Sequence, residues 1–403
     1  MKAALRFVVM AIALGAAAYA HGRVGSPSST GRELPGVVDC KNHYILGQPC
    51  SPAWTSINRG LTDLDVRVVA VDPVARETLY AGGTRGVFKS VDGGDTWSAT
   101  GLSMDAVAIA DNAAAYAHFV LPSSFDARST VTHLEIDSAD SKTVYAATIA
   151  EGSAWFGQRR LYKSVDGGGT WTDSVSPAIN GVDNIHSLAM APSDPATLYL
   201  ANFDDGTGDS WSPIARTTDG GGTWTYLGYP ALSIMAVDPV DPRSVYAGTF
   251  AFAPYFTTLP NGVLKSTDGG VTWTPTGLTG TGVTALTIAP GDRRTVFAAT
   301  TDAWPAAAGP LFRSIDGGAT WTEAFVGAGP FIVTAIVVHP ADSKRVYVAT
   351  NGGGVMRSLD GGVTWTALNP GLPSLSVQSL VLIEGEPNTL YAGTSAGVFK
   401  ITE

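Results

Sequence analysis

Charge is scarce in this 403-residue sequence. Charged residues make up only 15%, and 25 Lys and Arg stand against 35 Asp and Glu, a net of −10. No basic stripe is present to displace phosphate counterions, which argues against a nucleic-acid partner. Cysteine is nearly absent: Cys40 and Cys50 are the only two. Two thiols, even with His43 nearby, fall short of a zinc site. No long apolar run follows the first twenty residues, so no membrane insertion is expected. What abounds is glycine (47) and proline (24), beside 45% hydrophobic residues. That is the composition of many short strands joined by turns.

The one long apolar run is N-terminal. Lys2 and Arg6 precede the apolar Phe7–Ala18, and Ala18-Tyr19-Ala20 suits a signal-peptidase cut. Residues 1–20 therefore read as a signal peptide, and the chain as secreted or periplasmic. In an oxidising compartment Cys40 and Cys50 read as a local disulfide. It would staple residues 21–53, an arm rich in Gly, Pro and Ser without strand periodicity. Cleavage would also expose His21, whose amine and imidazole could chelate copper with His43 or His118. HGRVGSPSS resembles the mature start of lytic polysaccharide monooxygenases, although the sandwich domain of that family is missing. No cofactor is otherwise expected.

One stretch recurs six times: SVDGGDTW at Ser90–Trp97, SVDGGGTW at Ser164–Trp171, TTDGGGTW at Thr217–Trp224, STDGGVTW at Ser266–Trp273, SIDGGATW at Ser314–Trp321 and SLDGGVTW at Ser358–Trp365. Its tryptophans lie 74, 53, 49, 48 and 44 residues apart. Between the boxes run seven copies of strand, Pro/Asp turn, strand, beginning near Val68, Leu134, Leu188, Ile234, Leu286, Ile336 and Leu380. Each unit thus reads as four short strands, A to D. Four-stranded units in series are propeller blades. The seventh unit has no box and no fourth strand. Trp54-Thr-Ser-Ile-Asn-Arg-Gly-Leu61 matches Trp365-Thr-Ala-Leu-Asn-Pro-Gly-Leu372, and Trp54 lies one repeat, 43 residues, before Trp97. The N-terminal strand should complete the last blade, which removes the open edge of a linear stack. The expectation is an all-β, seven-bladed propeller over residues 54–403.

The box itself reads as structural. Its Asp (Asp92, Asp166, Asp219, Asp268, Asp316, Asp360) should accept N–H groups of its own C–D turn. Its fifth-position Gly suits a conformation disfavoured by a Cβ. Its Trp (Trp97, Trp171, Trp224, Trp273, Trp321, Trp365) should wedge beside the neighbouring blade, worth about 4–6 kcal/mol if fully buried. A calcium loop would need alternating acids and a closing Glu, which the box lacks. These six boxes resemble the Asp-box, or bacterial neuraminidase, repeat family. Its broad group includes sialidases, two-propeller xyloglucanases, sortilin-type receptors and photosystem II assembly factors. The resemblance covers residues 54–403 and implies a fold element away from the binding face. The Arg-Ile-Pro motif of sialidases is absent, as is a second propeller. Of the basic patch of the assembly factors, only Arg67, Arg85, Arg128, Arg159 and Arg160 could contribute.

Function is then sought on the opposite face, where the D–A and B–C connections meet. Blades 1, 6 and 7 have short B–C loops and blades 2–5 long ones. Blade 2 carries Glu151, Trp155, Phe156, Arg159 and Arg160; blade 3 carries Phe203, Asp204, Asp205, Asp209 and Trp211. Blade 4 carries Phe250, Phe252, Tyr255 and Phe256, and blade 5 Asp302 and Trp304. The connection into blade 2 adds Tyr116, His118, Phe119, Asp126 and Arg128. Aromatic platforms beside acids suit a sugar chain or an apolar peptide, and Trp155, Phe156, Arg159, Arg160, Trp211, Tyr255, Phe256 and Trp304 are the ligand-binding candidates. The plainer reading is that these aromatics pack the loops on one another. Glu151, Asp204, Asp205, Asp209 and Asp302 are acid/base candidates by location for a glycoside hydrolase. His133 and His186 fall on strand A near the channel and His339 in an A–B turn, each read as a structural histidine. The leading expectation is a monomeric ligand-binding or protein-scaffolding module with a carbohydrate or protein partner. The alternative is a xyloglucanase- or sialidase-like hydrolase.

Overall fold

The computed structural model describes residues 52–104, 128–151, 160–174, 185–202, 214–228, 232–249, 260–301, 308–325, 331–385 and 387–403, together with two short strands in the preceding arm. Those two are β1 (Tyr44–Ile45) and β2 (Gln48–Pro49), an antiparallel pair. The strand β3 (Thr55–Ser56) follows. Blade 1 is β4 (Val66–Val71), β5 (Leu79–Gly83), β6 (Gly86–Ser90) and β7 (Ser98–Ser103). Blade 2 is β8 (Arg128–Ile136), β9 (Val144–Glu151), β10 (Leu161–Ser164) and β11 (Thr172–Asp173). Blade 3 is β12 (Ile185–Ala191), β13 (Asp194–Asn202), β14 (Ile214–Thr217) and β15 (Thr225–Gly228). Blade 4 is β16 (Leu232–Val237), β17 (Val245–Thr249), β18 (Gly262–Ser266) and β19 (Thr274–Thr279). Blade 5 is β20 (Gly282–Ala289), β21 (Asp292–Thr301), β22 (Leu311–Ser314) and β23 (Thr322–Phe325). Blade 6 is β24 (Ile332–His339), β25 (Asp342–Asn351), β26 (Gly354–Ser358) and β27 (Thr366–Ala367). Blade 7 is β28 (Val377–Ile383), β29 (Thr389–Thr394), β30 (Gly397–Thr402) and, from the other end of the chain, β3.

Each inner strand packs on the inner strand of the next blade, and β28 packs back on β4. The seven blades therefore form a closed ring. Closure is made as the repeat implies: Thr55 faces Lys400 and Ser56 faces Phe399 in antiparallel register. Trp54 is 3% exposed and its Nε1 donates to the Leu368 carbonyl at 2.6 Å. Asn58 Nδ2 donates to Ala396 O at 3.0 Å, and Val398 N donates to Asn58 Oδ1 at 2.7 Å.

The core lies between blades rather than within one. Tyr145, Ala147 and Leu161 of blade 2 pack on Leu188, Leu198 and Leu200 of blade 3. A second strand such as β5 (LYAGG) or β17 (VYAGT) is buried along its whole length, because both of its faces are covered by neighbouring blades. Small residues there let the blades approach. A Cβ on Gly82 would stand 2.6 Å from Val131 Cγ1 of the next blade.

The recurring box closes each C–D hairpin and satisfies itself. In blade 1 the Ser90 hydroxyl donates to Asp92 Oδ1 (2.7 Å) and accepts Gly94 N–H (2.9 Å). Asp92 also accepts Thr96 N–H (2.9 Å) and the Thr96 hydroxyl (2.5 Å). The other five boxes repeat this wiring. The fourth-position Gly has positive φ as well as the fifth (69° at Gly93, 94° at Gly94). The tryptophans differ from expectation. Only Trp97 is buried (5%), and the other five box tryptophans stay partly exposed. Each of those five therefore contributes less than full burial would.

A polar seam joins the blades at this level. Tyr145 OH and Lys163 Nζ both donate to Gly220 O of the next blade's box, at 2.8 and 2.7 Å. Tyr80 and Lys89 do the same to Gly167 O, and Tyr246 and Lys265 to Gly317 O. Tyr391 closes the circle on Gly93 O at 3.3 Å.

Candidate functional site

The two faces of the ring are set by the box. Gly93 N–H donates to Glu77 O in the A–B turn of its own blade at 2.8 Å, and the bonds Gly167–Lys142, Gly220–Ala196, Gly269–Arg243, Gly317–Arg294 and Gly361–Lys344 repeat it. A–B turns and boxes thus share one face. In an antiparallel blade the B–C and D–A connections must then gather on the other.

That second face is lopsided. Blades 1, 6 and 7 turn from B to C through two residues, Thr84-Arg85, Gly352-Gly353 and Ser395-Ala396. Blades 2–5 connect the same strands through 152–160, 203–213, 250–261 and 302–310. The short side is tied down by polar contacts. Asp63 Oδ2 accepts the Thr84 hydroxyl (2.8 Å) and Arg85 N–H (2.9 Å), and Arg67 Nη2 pairs with Asp65 at 2.8 Å.

The residues singled out from sequence fall as follows. Glu151 is the last residue of β9, in register with Arg128. Arg160 is held by its backbone to Thr148, and its guanidinium pairs with Asp173, the last residue of β11. Trp155, Phe156, Arg159, Asp204, Asp205, Asp209, Trp211, Tyr255, Phe256, Asp302 and Trp304 lie outside the described residues, as do His21, Cys40 and Cys50. His339 is buried in blade 6. Its Nδ1 accepts Ala341 N–H and its Nε2 faces Asn388 Oδ1 at 3.2 Å, so both ring nitrogens have partners.

Sequence reading placed His133 and His186 near the channel and missed the rest of its lining. Every inner strand carries a β-bulge near its start, between Val66 and Val68 in blade 1 and at the matching place in the other six. The bulged residues are Arg67, Thr132, His186, Ser233, Thr284, Thr334 and Gln378, all polar and all partly accessible. A bulge re-aims its residue out of the sheet's alternation, here at the channel end nearest the B–C connections. Some of these side chains stitch blades together. Ser233 Oγ donates to Val283 O (2.7 Å) and Thr334 Oγ1 to Val377 O (2.6 Å), each in the next blade.

Further along the same strands, side chains take up N–H groups of the next inner strand. Ser187 Oγ accepts Met235 N–H (3.0 Å) and Ser379 Oγ accepts Val69 N–H (3.1 Å). In blade 2 the position of Ser187 and Ser379 is taken by His133, and two residues further on Glu135 lies near the Met190 N–H of blade 3. Glu135 and His133 keep some accessible surface in the channel, yet protein crowds both closely enough for desolvation to dominate. Burial pushes the Glu135 carboxyl up to about 8, against the smaller pull of the Met190 N–H. Burial lowers the His133 imidazole to about 4. Both groups are therefore mainly uncharged at neutral pH. The signal was visible in the repeat. LEIDS carries an acid at the position where the other units have Ala70, Ala189, Ala236, Thr287, Val337 and Val381.

The chain matches no protein-family model. A xyloglucanase from Paenibacillus is 27% identical over 309 residues, which is 67% of this chain and 27% of that protein. The chain thus spans about a quarter of the curated relative's length. Among solved structures, YCF48 from Cyanidioschyzon merolae aligns over 87% of this chain and 99% of its own, at 16% identity and a TM-score of 0.56. A structure of YCF48 bound to D1 peptide aligns over 87% and 96%, at 14% identity and a TM-score of 0.54. An ancestral GH74 enzyme aligns over 87% of this chain and 46% of its own, at 15% identity and a TM-score of 0.60. At these identities the structural likenesses speak for the fold alone, and the chain is an all-β, seven-bladed propeller.

Proposed function

We propose that this chain is an exported Asp-box propeller that acts as a binding module, taking a peptide segment of a partner protein on the sector spanned by the long connections of blades 2–5. The observation that carries this reading is the lopsided face: two-residue B–C turns on blades 1, 6 and 7 against connections of many residues on blades 2–5. Extended connections on a rigid ring are where binding surfaces are built. Their composition adds rigid aromatic anchors (Trp155, Phe156, Trp211, Tyr255, Phe256, Trp304) beside Arg159 and Arg160, the residue types that dominate peptide hot spots. The reading is also supported by a structural neighbour of similar fold, YCF48, which is seen bound to D1 peptide.

A hydrolase is the second reading, favoured by the xyloglucanase relative and by Glu151, Asp204, Asp205, Asp209 and Asp302 in the same connections. One experiment separates the two. The exported chain is screened against a random peptide array and a polysaccharide panel, with binding and released reducing sugar both scored. Peptide binding that is lost when 250–261 is replaced by a two-residue turn supports the module. Sugar release that disappears in Asp204→Asn or Asp302→Asn overturns it in favour of the hydrolase.

A further inference from the structure

The face that carries the boxes is where exposed apolar side chains collect. On blades 1 and 2 they are Val74 in an A–B turn and Val91 and Val165 at the second position of a box. On blades 4–6 they are Val240 in an A–B turn, Ile315 and Leu359 at the second box position, and Val271 and Val363 at the sixth. Each is between 56% and 75% exposed. Among the described residues, the other large apolar side chains that stay exposed are Leu64, Tyr226 and Leu375, none of them in these turns. The box does not need the aliphatic groups. Side chains at its second and sixth positions take no part in its hydrogen bonds, and blades 3 and 4 carry Thr218 and Thr267 at the second. Exposed apolar groups gathered on one face mark an interaction surface.

Charge divides the same face in two. All six boxes share their aspartate, so the A–B turns and the sixth box position set the difference. On blades 1 and 2 the exposed acids are Glu77, Asp95 and Asp140, beside Arg76 and Lys142. Arg76 is turned to the Glu384 carbonyl at 2.8 Å. On blades 4–6 the A–B turns expose Arg243, Arg293, Arg294 and Lys344. The acids of those three turns, Asp241, Asp292 and Asp342, are half-buried and accept N–H groups of their own turns.

From this we infer that the chain pairs with a second copy of itself, box face to box face, about a two-fold axis through blade 7 and between blades 3 and 4, rather than standing alone as a monomer. A symmetric pair needs a self-complementary surface, and this axis supplies one. It reverses the order of the blades, laying blade 6 on blade 1, blade 5 on blade 2 and blade 4 on blade 3. Leu359 and Val363 then meet Val74 and Val91, with Lys344 beside Glu77 and Asp95. Ile315 meets Val165, with Arg294 beside Asp140. Opposite charges around apolar contacts fix the register of such a pair. An axis shifted by one blade either way would lay the apolar residues of blade 6 or of blade 1 on blade 7, which has no box. Pairing through the boxes turns both B–C faces outward, so this inference does not rest on the long connections of blades 2–5.

The test is sedimentation equilibrium of the exported chain at concentrations up to about 100 µM, at low and high salt. A reversible dimer that weakens with salt is expected. Glu77→Lys and Lys344→Glu each bring like charges together twice in every dimer, and each alone should weaken it at least about tenfold. An equal mixture of the two variants should restore it, because each then meets its complement. Val363→Asp changes one exposed side chain and should weaken the dimer as well. Circular dichroism checks that each variant keeps its fold. A chain that is monomeric at every concentration, a dimer indifferent to all three substitutions, or a mixture as weak as its parts overturns the inference. In the monomeric case, a Val363→Cys thiol shielded from a maleimide would assign the face to residues 21–53, because the chain enters β3 from this face at blade 7.

Discussion

Tyr347 donates its hydroxyl to the carboxylate of Glu403, and that contact stands where Tyr145 meets the carbonyl of Gly220. Blade 7 has no box, so blade 6 finds no box glycine to bind. The Glu403 side chain fills the place and also takes Arg357 Nη1 at 2.6 Å. Burial and the neighbouring carboxylate raise the Tyr347 phenol well above its ordinary range, so it stays a donor. The backbone of Glu403 is held by a reciprocal pair with Asn388, at 2.8 and 2.9 Å.

Glu403→Ala should therefore loosen one seam of the ring. It leaves the phenol and a partly buried guanidinium without an acceptor, for a cost of about 1–3 kcal/mol. Urea unfolding followed by circular dichroism measures it. Glu403→Gln should recover part of the loss by accepting from Tyr347. A midpoint unchanged within error in Glu403→Ala would show that the seam is not held here.

The six boxes make an acid-sensitive set. Hydrogen bonds hold each box carboxyl at about 2, chiefly the Thr hydroxyl for Asp92, Asp268, Asp316 and Asp360, and the Thr backbone N–H for Asp166 and Asp219. Groups whose folded value lies below the unfolded one stabilise above the unfolded value and cease to as pH falls through the folded one. The boxes' contribution to stability should thus be complete above about pH 4 and decline toward about pH 2. In an Asp219→Asn, Asp316→Asn double variant the decline should be shallower, because two of the six linked protons are gone. Acid unfolding followed by tryptophan fluorescence checks this, and an unchanged slope would show that the box carboxyls are not what acid attacks.

The ring was legible because it repeats. Box spacing counted the units, and the match between Trp54 and Trp365 foretold that β3 completes blade 7. The seam was not legible, although Tyr145 and Lys163 recur in equivalent form in nearly every unit. Their partner, Gly220 O, belongs to the next unit, and a single repeat does not show what its neighbour presents. The bulges were hidden for a different reason. An inserted residue such as Thr284 breaks the alternation of its strand, so period-two reading gives it no side. Residues such as Asp204 and Trp211 were found by composition and ring position. Their stretch has no periodicity, and composition alone sets no distance between two carboxyls.

Glu135 gives the opposite pH response to the boxes. Its carboxyl is raised to about 8 from 4.5, chiefly by burial. The folded chain therefore keeps a proton that the unfolded chain has shed, and stability falls as pH rises from about 4.5 to about 8, then levels. Glu135→Gln retains an acceptor for Met190 N–H and cannot ionise. Near pH 4 it should match the parent. Above about pH 8 it should be the more stable, by up to about 3–5 kcal/mol. Thermal unfolding at several pH values tests this, and parallel curves for the two proteins would contradict it.

Closure offers the sharpest mechanical test. Trp54 and Trp171 are the same residue in equivalent places, yet their settings differ. Trp54 is almost wholly buried and reaches across to Leu368 O, 314 positions away in sequence. Trp171 is partly exposed and its Nε1 returns to Gly168 O of its own box at 3.1 Å. If the ring is held by the strand from the N-terminal side, Trp54→Ala should cost about 3–5 kcal/mol. Trp171→Ala, which removes less buried area and no link between distant segments, should cost about 1–3 kcal/mol. Trp54→Phe should fall between, since it keeps most of the packing and leaves Leu368 O short of a donor, for about 1–2 kcal/mol. The order of the three urea midpoints decides the matter. If Trp171→Ala proves as costly as Trp54→Ala, closure through β3 holds the ring no more firmly than an ordinary contact between blades.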